Sequence, residues 1–160
     1  MEKNEMIRNE VLQAVEGISV DKLNEKLEEG KWTIMQVLEH LYLMERAITH
    51  AISDQLANGE SKTVKEKPIE LTVNRSTTVK APSFVHPSEE FITLAEMHNK
   101  LSLSREAFSK IVDAADDSLL EQRGFPHPVF GELSLKQWIP FVGLHEKRHL
   151  AQIEELKRKI

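Results

Sequence analysis

The chain has 160 residues, with 21 basic and 26 acidic side chains, seven histidines, no cysteine and 40% hydrophobic residues. A length within about 100–200 residues predicts one domain, residues 1–160, that can bury a sizeable core without covalent staples. The missing cysteine excludes disulfides, thiolate zinc sites and a cysteine nucleophile, and a net charge of −5 without a basic run speaks against nucleic-acid or anionic-membrane partners. No stretch approaches the ~18 apolar residues of a membrane span and MEKNEMIRNE lacks the apolar core of a signal peptide, so a cytoplasmic protein is expected.

Met6, Ile7, Val11, Ala14, Val15 and Ile18 recur at three- and four-residue intervals, which predicts a first amphipathic helix over roughly residues 3–18. Residues 19–30 read as a short helical turn closed by Gly30. In WTIMQV, Thr33 and Gln36 form a capping box and Trp32 can staple onto Val37. They open a second helix that carries Val37, Leu38, Leu41, Met44, Ile48 and Ile52 inward and ends near Asn58 and Gly59. Residues 60–88 are rich in Ser, Thr, Lys and Glu, are interrupted by Pro68, Pro82 and Pro87, and read as a long connection with IELTV at most a short strand.

A third helix is expected from about Ser88, with Leu94, Met97, Leu101, Phe108, Ile111 and Ala115 as a stripe broken by Ser104. Asp116 and Asp117 suit the cap of a short turn, and RGFPHPVFG reads as a loop. The fourth helix opens with a second capping box, Ser134 with Gln137, stapled by Leu133 on Trp138, and Pro140 should bend its first turns. A linker of ~29 residues is long enough to span a helix of ~25 residues at 1.5 Å per residue. The expectation is an all-α four-helix bundle in which helices 2 and 3 run parallel.

The chemistry lies with the histidines. In HEKRH, His145 and His149 are four residues apart, so on a helix both rings stand on one face and can reach one ion. Trp138, Val142, Ile153 and Leu156 continue the same inward stripe, and two buried rings in register need partners for their nitrogens. His40 sits at the edge of the buried face of the second helix, three residues after Val37. Three inward histidines on two helices point to a divalent-metal site with open positions. The H-E-x-x-H match suggests a zinc protease with Glu146 as base, but only 11 residues follow His149 and Gln152 and Glu155 occupy the positions of the longer motif. Glu146 is therefore expected at the solvated surface, about 100° round the helix from His145.

WTIMQVLEHLYLME, HPVFGELSLKQWI and the final HEKRHLAQIEEL together resemble the DinB superfamily, the DinB and YfiT-like metalloenzymes of bacteria, in order and spacing over essentially the whole chain. The resemblance implies a bundle with an up-down-down-up arrangement. It also implies a zinc or nickel ion held by one histidine of the second helix and two of the last, which fall on His40, His145 and His149. It further implies a homodimer as a common state, and relatives that are bacillithiol S-transferases or mycothiol-dependent isomerases. Gln152, one turn after His149, is a candidate to orient a ligand. His98 and His127 are candidates for the pocket wall, and His50 and His86 read as surface residues.

The leading expectation is a metal-dependent transferase that conjugates a low-molecular-weight thiol to a small electrophile, because a divalent ion lowers the pKa of a bound thiol. A hydrolase that draws hydroxide from the ion is the first alternative, and a non-enzymatic metal-binding or stress-related bundle the second. Free imidazoles compete with protons near pH ~6, so metal is expected to leave as the pH falls through that value.

Overall fold

A computed structural model describes residues 1–160. Its helices are α1 (Glu2–Val15), α2 (Val20–Leu23), α3 (Ile34–Asn58), α4 (Leu94–Ala114), α5 (Asp117–Gln122) and α6 (Leu135–Lys157). The long helices α1, α3, α4 and α6 are the four read from the apolar periods. Single 3-10 turns occupy Ile69–Val73 and Ser83–Val85 of the crossover, so IELTV coils instead of pairing. The loop expected at RGFPHPVFG is an antiparallel hairpin, β1 (Gly124–His127) with β2 (Gly131–Ser134), which turns at Gly131 with φ 75°. A positive φ at that position suits glycine. No helix is long and apolar enough to cross a membrane.

Side-chain contacts fix the topology. Asn4 bonds Ile139 and Arg8 bonds Glu146, so α1 and α6 run the same way. Glu5 meets Arg105 while Arg8 meets the Leu101 carbonyl, which makes α4 antiparallel to α1. Leu38 and Leu41 share a core with Met97 and Leu101, and Ile48 and Ile52 share the other with Phe108, so α3 and α4 are parallel. The order is up-down-down-up, and α3, about 37 Å long at 1.5 Å per residue, is spanned by the crossover.

The crossover is longer than the apolar pattern indicates, because α4 starts at Leu94 under a Thr93 cap and not near Ser88. Ser88 is used elsewhere: its N–H donates to Glu39 Oε1 at 2.6 Å and its carbonyl accepts from Gln36 Nε2. The Thr33–Gln36 capping box is complete, whereas the second is half made. Ser134 caps the Gln137 N–H, but the Gln137 amide pairs with both backbone groups of Lys67 at 2.8 and 2.7 Å and pins the crossover to α6.

Two apolar clusters fill the ends of the bundle, and polar residues occupy the level between them. There Arg8, Glu146, Arg105 and Glu45 form a closed ring of alternating charge drawn from all four long helices. Arg8 Nε meets Glu146 at 2.7 Å, Arg105 Nη2 meets Glu146 at 2.7 Å, Arg105 Nε meets Glu45 at 2.6 Å and Arg8 Nη2 meets Glu45 at 3.1 Å. Burial disfavours the charge on Arg8, but Glu146 and Glu45 outweigh it, so its pKa stands above the ordinary arginine value. The expectation of a solvated Glu146 is thus corrected: it is 1% exposed. Turning 100° from His145 carries it into the interface with α1 and α4, because α6 is enclosed by neighbours on more than one side.

Candidate metal centre

The Thr33–Gln36 capping box fixes the start of α3 at Ile34 and thereby places His40 about two turns into the helix. Its Nδ1 lies 2.8 Å from the carbonyl of Val85, itself fully buried in the crossover. A carbonyl only accepts, so the proton sits on Nδ1 and the Nε2 lone pair is left free. On α6, His149 Nδ1 lies 2.8 Å from Gln152 Oε1, and the same reasoning leaves its Nε2 as an acceptor. His40 Nε2 and His145 Nε2 are 3.1 Å apart. One ligand atom from each of His40, His145 and His149 lies within 4.8 Å of the others, and the three can hold a metal ion.

The electrostatics favour neutral rings. Burial pushes the His40 pKa down against the pull of the Val85 carbonyl. Burial, then His149 and His40, hold His145 well below the usual value. Burial and then His40 take His149 to about 3. A neutral imidazole is what a divalent ion requires. These shifts put protonation of the metal-free rings below the value of a free imidazole. All three donors are borderline nitrogens in a group without carboxylates, which fits a transition metal better than magnesium or calcium.

Aromatic rings line both flanks. Trp32 packs 4.9 Å from His40, and Phe141 lies 5.8 Å from His145. His127, in the hairpin before α6, packs 4.8 Å from Phe141, so that candidate does reach the vicinity of the group. His98 does not: it is exposed on α4 and lines a shallow groove with Asn9, Leu12 and Gln13 of α1. His50 and His86 are exposed, as expected, although His86 also bonds the Ala81 carbonyl. Arg148, next to His149, donates to the carbonyls of Thr72, Asn74 and Thr77 and straps the crossover beside the histidines.

The ring of Arg8, Glu45, Arg105 and Glu146 was not read from the sequence, although its register was visible. Glu45 lies four residues after Leu41 and three before Ile48, and Arg105 lies four after Leu101 and three before Phe108. Charged residues at apolar-stripe positions on several helices are the signal for a buried ionic layer.

Three imidazoles meeting from an antiparallel helix pair inside an up-down-down-up bundle define a metal-site class of bundle protein. The DinB superfamily model matches residues 4–153, and the chain belongs to that family. It is 37% identical over 153 residues to the uncharacterized protein YuaE of Bacillus subtilis (strain 168), covering 96% of this chain and 94% of that one. Among solved structures, the four-helix bundle protein TT2238 aligns with a TM-score of 0.66 at 22% identity, over 96% of this chain and 94% of its own. YfiT from Bacillus subtilis, described as a probable metal-dependent hydrolase with an unusual four-helix bundle topology, aligns with a TM-score of 0.64 at 19% identity, over 98% and 83%.

Proposed function

We infer that the protein is a metal-dependent transferase that joins a low-molecular-weight thiol to a small electrophile, with His40, His145 and His149 as ligands of a zinc- or nickel-type ion. The observation that carries this reading is the convergence of three neutral imidazoles whose second nitrogens, at His40 and His149, are engaged by Val85 and Gln152. Such an ion supplies positive charge that brings the pKa of a bound thiol from about 8.5 toward neutrality. The chain's part is to hold the imidazoles neutral and oriented, with Trp32 packed on His40 and Phe141 beside His145.

The group contains no carboxylate to act as a base. Glu146 is held by two arginines, and Glu39 accepts from Ser88. An ion on three imidazoles can bring bound water from about 15.7 to about 7 as readily as it ionises a thiol, so the donor set allows both. Hydrolysis also calls for a proton donor to the leaving group, which this carboxylate-free group does not supply, whereas attack by a thiolate does not, so thiol transfer is the first reading. Hydrolysis is the second reading, supported by the fold likeness to YfiT and its description as a probable metal-dependent hydrolase.

The test begins with elemental analysis of untagged protein and of His40→Ala and His145→Ala, where loss of metal from both variants is expected. Loaded protein is then assayed with bacillithiol or glutathione and monochlorobimane, and separately with 4-nitrophenyl acetate without thiol. Conjugation above the His149→Ala rate supports transfer. Ester turnover without thiol supports hydrolysis instead, and turnover in neither assay leaves a metal-binding bundle without catalysis.

A further inference from the structure

The hairpin ahead of α6 holds one histidine ring with its own backbone. The backbone N–H groups of Val129 and Phe130 both donate to His127 Nδ1, at 3.0 and 3.2 Å. A nitrogen that accepts two N–H bonds carries no proton, so the single proton of the neutral ring must sit on Nε2. Protonating Nδ1 would set three N–H groups against one another, and burial independently holds the ring's pKa down to about 4. The neutral form with one tautomer is therefore fixed across the physiological range.

The ring is also immobilised. It packs against Phe130 at 4.9 Å, Trp138 at 5.5 Å and Phe141 at 4.8 Å. Trp138 in turn stacks on Phe125 at 4.2 Å and donates its indole N–H to the Phe125 carbonyl, which ties the hairpin to α6. Nε2 makes no hydrogen bond within the protein, yet no fully buried side-chain nitrogen or oxygen lacks a partner, so this N–H opens to solvent-accessible space. Phe141 packs on both rings, 4.8 Å from His127 and 5.8 Å from His145, so the His127 ring stands one aromatic ring away from the three-histidine group.

We propose that His127 is a positioning residue that presents a fixed Nε2–H donor to an acceptor oxygen of the molecule bound at the three-histidine group, selecting ligands that carry a carboxylate or carbonyl a few bonds from the coordinating atom. The inference rests on the metal-site reading and adds a specificity element to it. Holding the hairpin uses only the acceptor nitrogen Nδ1, which leaves the obligatory Nε2–H available to a second partner. Asparagine supplies such an acceptor from a shorter side chain, whose remaining donor falls short of the Nε2 position.

The probes are 3-mercaptopropionate and 1-propanethiol, titrated into cobalt-loaded full-length protein and followed by the thiolate-to-cobalt absorption. The wild type should bind the carboxylate-bearing thiol roughly ten- to hundredfold more tightly, as suits a hydrogen bond to a charged acceptor. His127→Asn and His127→Phe should abolish that preference and leave propanethiol affinity and cobalt stoichiometry unchanged. Equal preference in wild type and variants overturns the inference while leaving the metal site standing, whereas failure to bind cobalt or thiol at all overturns the metal-site reading beneath it. Nitrogen-15 NMR of the metal-free protein tests the tautomer separately. An Nδ1–H form or a mixture of tautomers refutes the inference whatever the metal does.

Discussion

Glu146 separates two accounts of the HEKRH segment. As a metalloprotease-type base it would be dispensable for folding and essential for turnover, whereas as a member of the buried ring it is required for stability. Replacing it with alanine removes the partner of Arg8 Nε at 2.7 Å, of Arg8 Nη2 at 3.2 Å and of Arg105 Nη2 at 2.7 Å. Both guanidiniums stay buried, at 5% and 7% exposure, with Glu45 and the outer Glu5 the only carboxylates left to them and the Leu101 carbonyl a remaining neutral partner of Arg8. Breaking a buried ion pair from one side costs about 3–5 kcal/mol. For a chain of this length, 1 kcal/mol corresponds to roughly 2–4 °C, so Glu146→Ala should melt roughly 6–20 °C below the wild type. Glu146→Gln, which keeps the shape and one acceptor, should fall between them. Calorimetry of the metal-free proteins reads these shifts, with metal stoichiometry of the folded variants as control. An unchanged melting temperature together with lost turnover would refute the structural role and restore the base.

Gln152→Ala should leave the fold intact and weaken metal binding about 10–100-fold, the usual effect of removing a partner that orients a histidine ligand; chelator competition measures it, and an unchanged affinity would mean that Gln152 does not orient His149. The pH dependence follows from depressed pKa values. With His149 at about 3 when folded against 6.5 when unfolded, the unfolded chain binds the extra proton between those values. Its contribution is complete above pH 6.5 and is lost as the pH falls toward 3. The full shift would be worth a few kcal/mol at ~1.4 kcal/mol per unit, less whatever solvent screens at this partly exposed ring. Urea unfolding of metal-free protein at pH 7.5, 5.5 and 4.5 should therefore show a steeper loss in the wild type than in His149→Phe, and equal slopes would contradict the assignment.

Four helices and the facing pair of histidines on the last one were legible in the sequence. Periods of 3.6 residues located α1, α3, α4 and α6, and the Thr33–Gln36 box marked one start to the residue. The i, i+4 spacing of His145 and His149 placed two rings on one face because helix geometry is local. Their meeting with His40 was an expectation from burial, and only packing brought one nitrogen of each within 4.8 Å of the others. What surrounds a helix could not be read from its own period. Glu146 looked solvated because a single helix shows one apolar face, but α6 contacts α1, α3 and the crossover, so a position 100° from the stripe is still enclosed. The partners that set each tautomer are also products of the tertiary structure. Val85 reaches His40 across 45 positions of chain, and the hairpin that orients His127 packs on an aromatic cluster whose members meet only when the chain folds. Local propensity specifies elements, whereas proton positions and charge partners depend on contacts distant in sequence.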